Sequence, residues 1–158
     1  MNASDVTLVL NLFSTADVDV WIGGGWGVDA LVGRQTRQHL DLDLLFNRDH
    51  EGLVIAMLER KAFSETIDWR PGRFVMNDGT RELDLHPMEV LEAGGAILHT
   101  HTGQRFALRR IDFAEGRIDD RAVPCLSAAK QWEFHQGYEP TMKDLHDLAL
   151  LQELLDGS

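Results

Sequence analysis

The chain has 158 residues, and its 26 Asp and Glu against 15 Lys and Arg give it a formal charge of −11. That length suits a single domain, and 44% hydrophobic with 26% charged residues is the composition of a folded protein. An acidic surface repels a phosphate backbone and attracts cations, which argues against nucleic acid as a partner. Cys125 is the only cysteine, so the sequence excludes an intrachain disulfide and a cysteine-based zinc site.

The N-terminus lacks the basic start of a signal peptide, and no apolar run approaches the roughly 18 residues that a membrane span needs. We therefore expect a soluble, cytoplasmic protein with no membrane partner. The sequence contains no internal repeat, low-complexity tract or Pro/Ser-rich linker, so its functional elements are expected to share one compact body.

The first part of the chain is predicted to alternate helices and strands. Apolar residues at helical spacing favour a helix that is capped by Ser4 and ends near Thr15. Alternating apolar residues over 18–22 predict a strand that runs into a triple glycine at 23–25, and a second helix then starts near Trp26.

Further strands and a helix are predicted in the middle of the chain. The alternation over 40–44 favours a strand, and Asp49 is positioned to cap the helix that follows. The Asn-Asp-Gly sequence at 77–79 is a strong hairpin signal between two strands, the second of which carries Asp84.

The last part of the chain is predicted to form short strands and then two helices. Turn-rich alternating stretches between residues 94 and 124 favour short antiparallel strands, with the segment 114–117 as a turn. A helix starts at Ser127, and a capping box over 141–144 opens the last helix.

Three aspartates on predicted strands form the pattern that points to chemistry. Asp41 and Asp43 alternate with leucines, so both carboxylates lie on one face of their strand, and Asp84 is in the middle of another strand. Carboxylates that converge on one point repel each other, and a divalent cation that also binds phosphate relieves this repulsion. Two Mg²⁺ roughly 4 Å apart would clamp the attacking and leaving oxygens of an in-line displacement. A solvent-facing sheet edge is the alternative interpretation of an alternating Asp/Leu strand.

The triple glycine upstream favours a site over a sheet edge. Glycines between a strand and a helix let backbone N–H groups approach an anion at the helix N-terminus, where phosphates commonly bind. A plain tight turn is the alternative here, because the sequence matches neither GxxxxGK[ST] nor GxGxxG. The glycine turn and the aspartate pair are together more specific than either alone.

Two strings of the sequence carry a family resemblance. The string GGWGVD at 24–29 and the string GRQTRQHLDLDL at 33–44 resemble the signature of small antibiotic nucleotidyltransferases of the polymerase-β-like superfamily, which use a GG or GS turn followed by a DxD pair. The resemblance extends over nearly the whole chain, through the segments 68–73, 83–87, 123–127 and 134–147. This spacing is similar to that of the short, LinA-like lincosamide nucleotidyltransferases. The segments 21–26 and 33–37 are also similar to aminoglycoside nucleotidyltransferases, so the acceptor stays open.

The resemblance implies an α+β fold with a small mixed sheet flanked by helices and with C-terminal helices. Residues 1–90 would form the nucleotidyltransferase core, and 91–158 a strand-and-helix extension packed on it. The implied reaction is Mg²⁺-dependent transfer of AMP from ATP to a lincosamide hydroxyl with release of pyrophosphate, by a homodimer. The alternatives are an aminoglycoside nucleotidyltransferase and a non-catalytic nucleotidyltransferase-like binding module.

The resemblance also implies a role for the residues that match the family motifs. Asp41 and Asp43 would hold metal, and Asp84 would be the third carboxylate, acting as metal ligand, general base or both. The amides of Gly24 and Gly25 would meet the triphosphate.

Other side chains near these motifs are candidates for nucleotide binding. Arg37 or Lys143 would neutralise the outer charge of the triphosphate. His39 would orient the aspartate pair or reach a phosphate, with a structural histidine as the alternative. His86 lies two residues after Asp84 on the same strand face and is a candidate for the same site.

Overall fold

The computed structural model describes residues 1–157, which form a mixed β-sheet with helices packed against it. The helices are α1 (Ala3–Thr15), α2 (Gly24–Val32), α3 (Glu51–Glu59), α4 (Ala128–Phe134) and α5 (Met142–Asp156), with 3-10 turns at Arg48–His50 and Arg110–Asp112. The strands are β1 (Val20–Ile22), β2 (Asp41–Asn47), β3 (Ser64–Trp69), β4 (Arg73–Asn77), β5 (Glu82–Val90), β6 (Ala96–His99), β7 (Arg105–Leu108), β8 (Phe113–Ile118) and β9 (Arg121–Leu126). Across residues 1–157, none of the helices combines the length and the apolar character needed to cross a membrane.

The sheet mixes parallel and antiparallel strands in the order β3-β4-β5-β2-β1-β9-β8. The β2–β5 and β1–β9 pairs are parallel, whereas β6 adds to β5 and β7 adds to β6 in antiparallel pairs. The predicted α+β class, a mixed sheet flanked by helices, is confirmed. Because β9 pairs with β1, the C-terminal segment completes the sheet that the N-terminal segment begins, and the division at residue 90 stays a prediction.

Apolar clusters lie on both faces of the sheet. On one face, α1 and α3 pack against Leu42 and Leu44 of β2 in the larger cluster. The opposite face carries a smaller cluster around Leu45, against which α4 packs. Side chains alternate along a strand, so burial of the two leucines turns Asp41 and Asp43 toward the α4 side of the sheet.

Two of the predicted helix caps are wrong, each by two residues. Asn2 caps α1, because its side chain accepts a hydrogen bond from the N–H of Asp5 and the Asp5 carboxylate accepts one from the N–H of Asn2, both at 2.9 Å. Ser4 lies inside the helix and donates to Asn2 instead. Before α3, Asn47 accepts from the N–H of Asp49 at 3.1 Å and replaces it as the cap of the 3-10 turn. In both places an upstream asparagine satisfies the free N–H group.

Three other local predictions are confirmed, one for a hairpin and two for the starts of helices. The Asn-Asp-Gly segment at 77–79 connects β4 to β5 as a hairpin. The Ser127 side chain accepts from the N–H of Lys130 and caps α4. Thr141 and Asp144 form the predicted capping box of α5. The sequence therefore determines where these two helices begin.

The predicted turn at 114–117 is wrong, because these residues lie inside β8 and the chain reverses at Asp119 and Asp120. Gly116 serves close packing instead of a turn. A Cβ at this position would lie 2.5 Å from the carbonyl oxygen of Ala30 in α2. The glycine thus lets α2 pack directly on the β8 backbone.

Substitution of Gly116 by Ala should destabilise the protein by about 2 kcal/mol, because the added methyl group forces α2 away from the sheet. Urea denaturation would measure the change in the free energy of unfolding. Gly52→Ala is the matched control, since a Cβ at Gly52 in α3 meets open space and alanine is the better helix former. Equal stability of the Gly116→Ala variant and the wild type would contradict the close approach.

Candidate active site

A cleft of about 540 Å³ lies on the face of the sheet that carries Asp41 and Asp43. It extends from the glycine turn at 23–25 along the start of β2 to residues of α4, α5 and the turn between β6 and β7. Most of the side chains and glycines singled out from the sequence line it, namely Gly24, Gly25, Arg37, Asp41, Asp43, His86 and Lys143. Asp84 and His39 lie behind this lining and contact it.

The parallel pairing of β2 with β5 sets the carboxylates side by side. Asp43 lies directly opposite Asp84, and Asp41 lies opposite Glu82. The next position on the same face of β5 is His86, whose Nε2 is 3.1 Å from Asp43 Oδ1 and 3.5 Å from Asp84 Oδ1. One potential ligand atom from each of Asp43, Asp84 and His86 falls within 4.8 Å of the others.

Burial and mutual repulsion shift the pKa values of these groups. Burial raises the pKa of Asp84 to about 6, with the nearby His86 opposing the shift and Asp43 adding to it. The pKa of Asp41 is also raised, first by burial and then by the charges of Asp43 and Glu82. Burial lowers the pKa of His86, but its hydrogen bond to Asp43 and the charges of both aspartates outweigh burial and leave it raised. The cluster therefore holds excess negative charge that a cation would relieve.

The Asp84 carboxylate has one oxygen paired and one free. Arg73 Nη1 donates to Oδ2. Oδ1 is buried and accepts no hydrogen bond from any residue in 1–157, although it lies close to His86. An orphaned carboxylate oxygen beside a second carboxylate and an imidazole fits a divalent cation, since oxygen and nitrogen donors of this kind are common ligands. Asp41 lies outside this group of three, two residues before Asp43 along β2.

The glycine turn packs closely against the carboxylate of Asp43. Gly23 caps α2 and its N–H donates to the carbonyl oxygen of Asp43 at 3.0 Å. α2 begins at Gly24, two residues before the predicted start, with a φ of +55° that side chains rarely adopt. A Cβ at Gly24 would overlap Asp43 Oδ2, and one at Gly25 would overlap Arg37 and His39. The glycines thus bring the N-terminus of α2 within contact of the cluster, where its free N–H groups favour an anion.

Arg37 is held in place by an ion pair with a residue that is distant in the sequence. Its Nε and Nη2 donate to the two carboxylate oxygens of Asp147 in α5 at 2.9 and 2.6 Å. Its Nη1 donates to the carbonyl oxygen of Gln38 at 3.2 Å. The hydrogen bonds to Asp147 raise the pKa of Arg37. Arg37 therefore supplies a fixed positive charge at the glycine end of the cleft and ties α5 to it.

His39 and Lys143 differ in their relation to the site. His39 is buried, with Nε2 2.5 Å from Asp29 Oδ2 and its ring tilted against that of Trp26, so it pairs with Asp29 and not with the aspartate pair. This is the structural role that the sequence left as the alternative. Lys143 lies in the first turn of α5 and lines the cleft, where its charge opposes the raised pKa of Asp41.

Part of the cleft lining is apolar and is called the apolar wall. It is built from residues distant in sequence: Leu40, Leu45, Leu98, Phe106, Leu126, Phe134 and Tyr138. Phe106 of β7 and Phe134 of α4 meet edge to face with ring centroids 5.8 Å apart. Sequence reasoning missed this wall, because the members belong to different elements and no periodic pattern connects them. Arg73 lies in the segment 68–73, which carries part of the family resemblance, but nothing local in the sequence indicates its contact with Asp84.

The fold and the carboxylate-lined cleft define a nucleotidyltransferase-like class of protein. The family model described as Aminoglycoside-2''-adenylyltransferase matches residues 5–151, and the chain belongs to this family.

Known relatives of the chain act on two antibiotic classes, according to their names. Over 147 residues the chain is 33% identical to a lincosamide resistance protein of Staphylococcus haemolyticus, a match that covers 92% of this chain and 91% of the relative. It is 34% identical over 136 residues to a 2''-aminoglycoside nucleotidyltransferase of Klebsiella pneumoniae, over 84% of this chain and 71% of the relative. The crystal structure of the lincosamide antibiotic adenylyltransferase LnuA, lincomycin-bound, matches with a TM-score of 0.87 at 32% identity, over 96% of each chain. The resemblance to antibiotic nucleotidyltransferases and the fold that it implied are confirmed.

The raised pKa of Asp84 predicts a specific pH dependence of stability. The folded protein keeps this proton to about pH 6 and the unfolded chain loses it near 3.8, so the free energy of unfolding falls as the pH rises through that window. Asp84→Asn cannot ionise and escapes this loss. In EDTA we expect the variant to be more stable than the wild type at pH 7.5, by up to about 3 kcal/mol, and to match it near pH 4.

Thermal or urea unfolding at the two pH values measures this difference. Asp120→Asn, an exposed aspartate in the β8–β9 turn, is the control and should leave the difference between the two pH values unchanged. If Asp84→Asn lowers the free energy of unfolding equally at both pH values, the ionisation of Asp84 does not destabilise the folded protein.

Proposed function

We propose that the protein is an antibiotic nucleotidyltransferase that transfers AMP from ATP to a hydroxyl of a lincosamide and releases pyrophosphate. The observation that carries the proposal is the cleft itself, in which the glycine turn meets the Asp43–Asp84 pair and an apolar wall completes the lining. Supporting it, the lincosamide relatives match nearly the full length of this chain, and LnuA is described as an adenylyltransferase.

The proposed reaction assigns a role to each carboxylate and to His86. Asp84 accepts the proton of the drug hydroxyl through Oδ1, which accepts no hydrogen bond from residues 1–157. The hydroxyl oxygen forms a bond to the α-phosphorus while the bond from that phosphorus to the bridging oxygen breaks, and the electron pair leaves with pyrophosphate. Two Mg²⁺ held by Asp41, Asp43 and Asp84 would neutralise the triphosphate and polarise the α-phosphate. His86 stands where it orients both Asp43 and Asp84.

The nucleotide contacts follow from the glycine turn. The amides of Gly24 and Gly25 at the start of α2 receive the outer phosphates. Each nitrogen of Arg37 already donates one hydrogen bond, so Arg37 contributes mainly through its fixed charge, whereas Lys143 is positioned to contact the phosphates directly. His39 contributes by holding this end of the cleft through Asp29.

The apolar wall favours a lincosamide over an aminoglycoside as the acceptor. A lincosamide joins an alkylated pyrrolidine to a thiosugar, so it offers both an apolar group for Phe106 and Phe134 and hydroxyls for the carboxylates. The acidic chain also suits the amine of the drug. An aminoglycoside, which is polar throughout, is the second candidate because the family model carries that activity in its description.

A homodimer is part of the proposal, because apolar side chains at the edge of the cleft are uncovered. Leu40 is 73% exposed and Met142 is 82% exposed. Leu40 lines the cleft and Met142 lies between two lining residues, so a second copy of the chain would bury them and close the pocket around a bulky drug.

Incubation with labelled ATP, Mg²⁺ and a panel of antibiotics tests the acceptor. We expect kcat/KM for lincomycin and clindamycin to exceed that for kanamycin and gentamicin by at least about 10-fold, the scale on which a matched apolar pocket discriminates. Asp43→Asn is the negative control and should modify none of them. Mass spectrometry showing product only with aminoglycosides would favour the second candidate, and nucleotide binding without any product would favour a non-catalytic module.

Removal of divalent cations should abolish turnover, because the carboxylate cluster and the triphosphate are both anionic and repel each other without a cation. The measurement is product formation after exhaustive treatment with EDTA, followed by addition of Mg²⁺, which should restore the rate. Unchanged far-UV circular dichroism in EDTA would show that the fold persists. Full activity after chelation would contradict the mechanism.

A further inference from the structure

Two arginines on the β3–β4 hairpin stack on aromatic rings but differ in how many of their donors are in use. Arg70 lies over Phe74, with the guanidinium carbon 4.1 Å from the ring centroid. Three carboxylates surround it, and its Nε, Nη1 and Nη2 all donate to them. It lies outside the lining of the cleft, where it joins β3 to α3.

Arg73 is arranged differently. Its guanidinium carbon is 4.4 Å from the ring centroid of Trp69, and that ring is stacked in turn on His101 at 5.4 Å. Only Nη1 is used, by Asp84, and within residues 1–157 neither Nε nor Nη2 has a hydrogen-bond partner. The side chain lines the cleft and is 27% exposed. A planar guanidinium held against a ring with unused donors is suited to bind an oxyanion.

The order of contacts across the cleft says which phosphate Arg73 would meet. Gly24 touches Asp43, Asp43 pairs with Asp84, and Asp84 is bound by Arg73. With the outer phosphates at the glycine turn, the α-phosphoryl group lies over the two aspartates. Arg73 is then next to the α-phosphoryl group, at the end of the row away from the glycines.

We propose that Arg73 is a catalytic residue that donates from Nε or Nη2 to a non-bridging oxygen of the transferred α-phosphoryl group while Nη1 holds Asp84. This inference rests on the proposed nucleotidyl transfer. Negative charge spreads over the equatorial oxygens as the group is transferred, so a cation placed there stabilises the transition state more than the bound nucleotide. The role differs from that of Arg37, in which each of the three nitrogens already donates to Asp147 or Gln38.

Single-turnover rates and nucleotide affinity of Arg73→Gln test the proposal. We expect the rate to fall at least about 100-fold, as for loss of one oxyanion donor. The dissociation constant of a non-hydrolysable ATP analogue should change by less than about threefold, since the outer phosphates supply the ground-state binding. Arg73→Lys should recover part of the rate by keeping the charge. Arg70→Gln is the matched control, and its rate should stay within about threefold of the wild type.

Sulfur substitution distinguishes contact with the phosphoryl group from an effect through Asp84 alone. The wild type and the Arg73 variants are compared with the two diastereomers of ATP that carry sulfur at the α-phosphorus. The rate loss caused by sulfur in one diastereomer should shrink by about 10-fold when the arginine is replaced, because the donor that met the oxygen is gone. The Lys variant carries the same comparison if the Gln variant is too slow.

The outcomes separate the two proposals. Thio effects that are the same in the wild type and the variants would overturn the contact with the phosphoryl group. A fall in rate matched by an equal loss of nucleotide affinity, or shared by Arg70→Gln, would do the same. If the wild type modifies no antibiotic of the panel, the proposed function fails and the role of Arg73 fails with it.

Discussion

The in-register parallel pairing of β2 with β5 is the constraint on which the site depends. It places Asp43 opposite Asp84 on one face and buries Leu42 and Leu44 on the other. A shift of one residue in this register would bury the aspartates and expose the leucines, at a cost that no local compensation could offset. The apolar core therefore fixes the spacing of the carboxylates, although no apolar residue takes part in the chemistry.

Bringing like charges together has a cost that the surrounding groups partly relieve. Burial raises the pKa of Asp84, while Arg73 and His86 each contact one of its oxygens. The remaining charge is what makes the cleft receptive to a cation and, through it, to a triphosphate. At the other end of the cleft, Arg37 and His39 are each already paired with an aspartate, so the proposed phosphate contacts fall to the backbone of the glycine turn and to Lys143.

The two halves of the chain contribute different parts of this cleft. The carboxylates and the glycine turn come from the first 90 residues, whereas five of the seven residues of the apolar wall come from later in the chain, in β6, β7, β9, α4 and the segment after α4. The pairing of β9 with β1 and the ion pair of Arg37 with Asp147 join the halves. A family that acts on different antibiotics can therefore keep the reacting groups and change the wall, and the wall is where the acceptor preference of this chain is expected to reside.

The sequence by itself determined the features that depend on neighbours within a few residues. The alternation of residues placed Asp41 and Asp43 on one strand face. The triple glycine predicted a strand-to-helix turn, and the Thr141 capping box predicted the start of α5. Local reasoning failed at Gly116, because a glycine that permits close packing against Ala30 looks like a turn glycine until the packing partner is known.

Only the tertiary structure decided which of these residues meet. The partner of Asp43 lies on a strand reached after a helix and a hairpin, and the partner of Arg37 lies 110 residues away. Periodicity shows the face on which a side chain lies, but strand order, register and helix placement decide what lies opposite, and they follow from how the whole core packs. For this reason the sequence predicted that the three aspartates share a site, whereas the paired state of His39, the apolar wall and the contact of Arg73 with Asp84 emerged only from the folded chain.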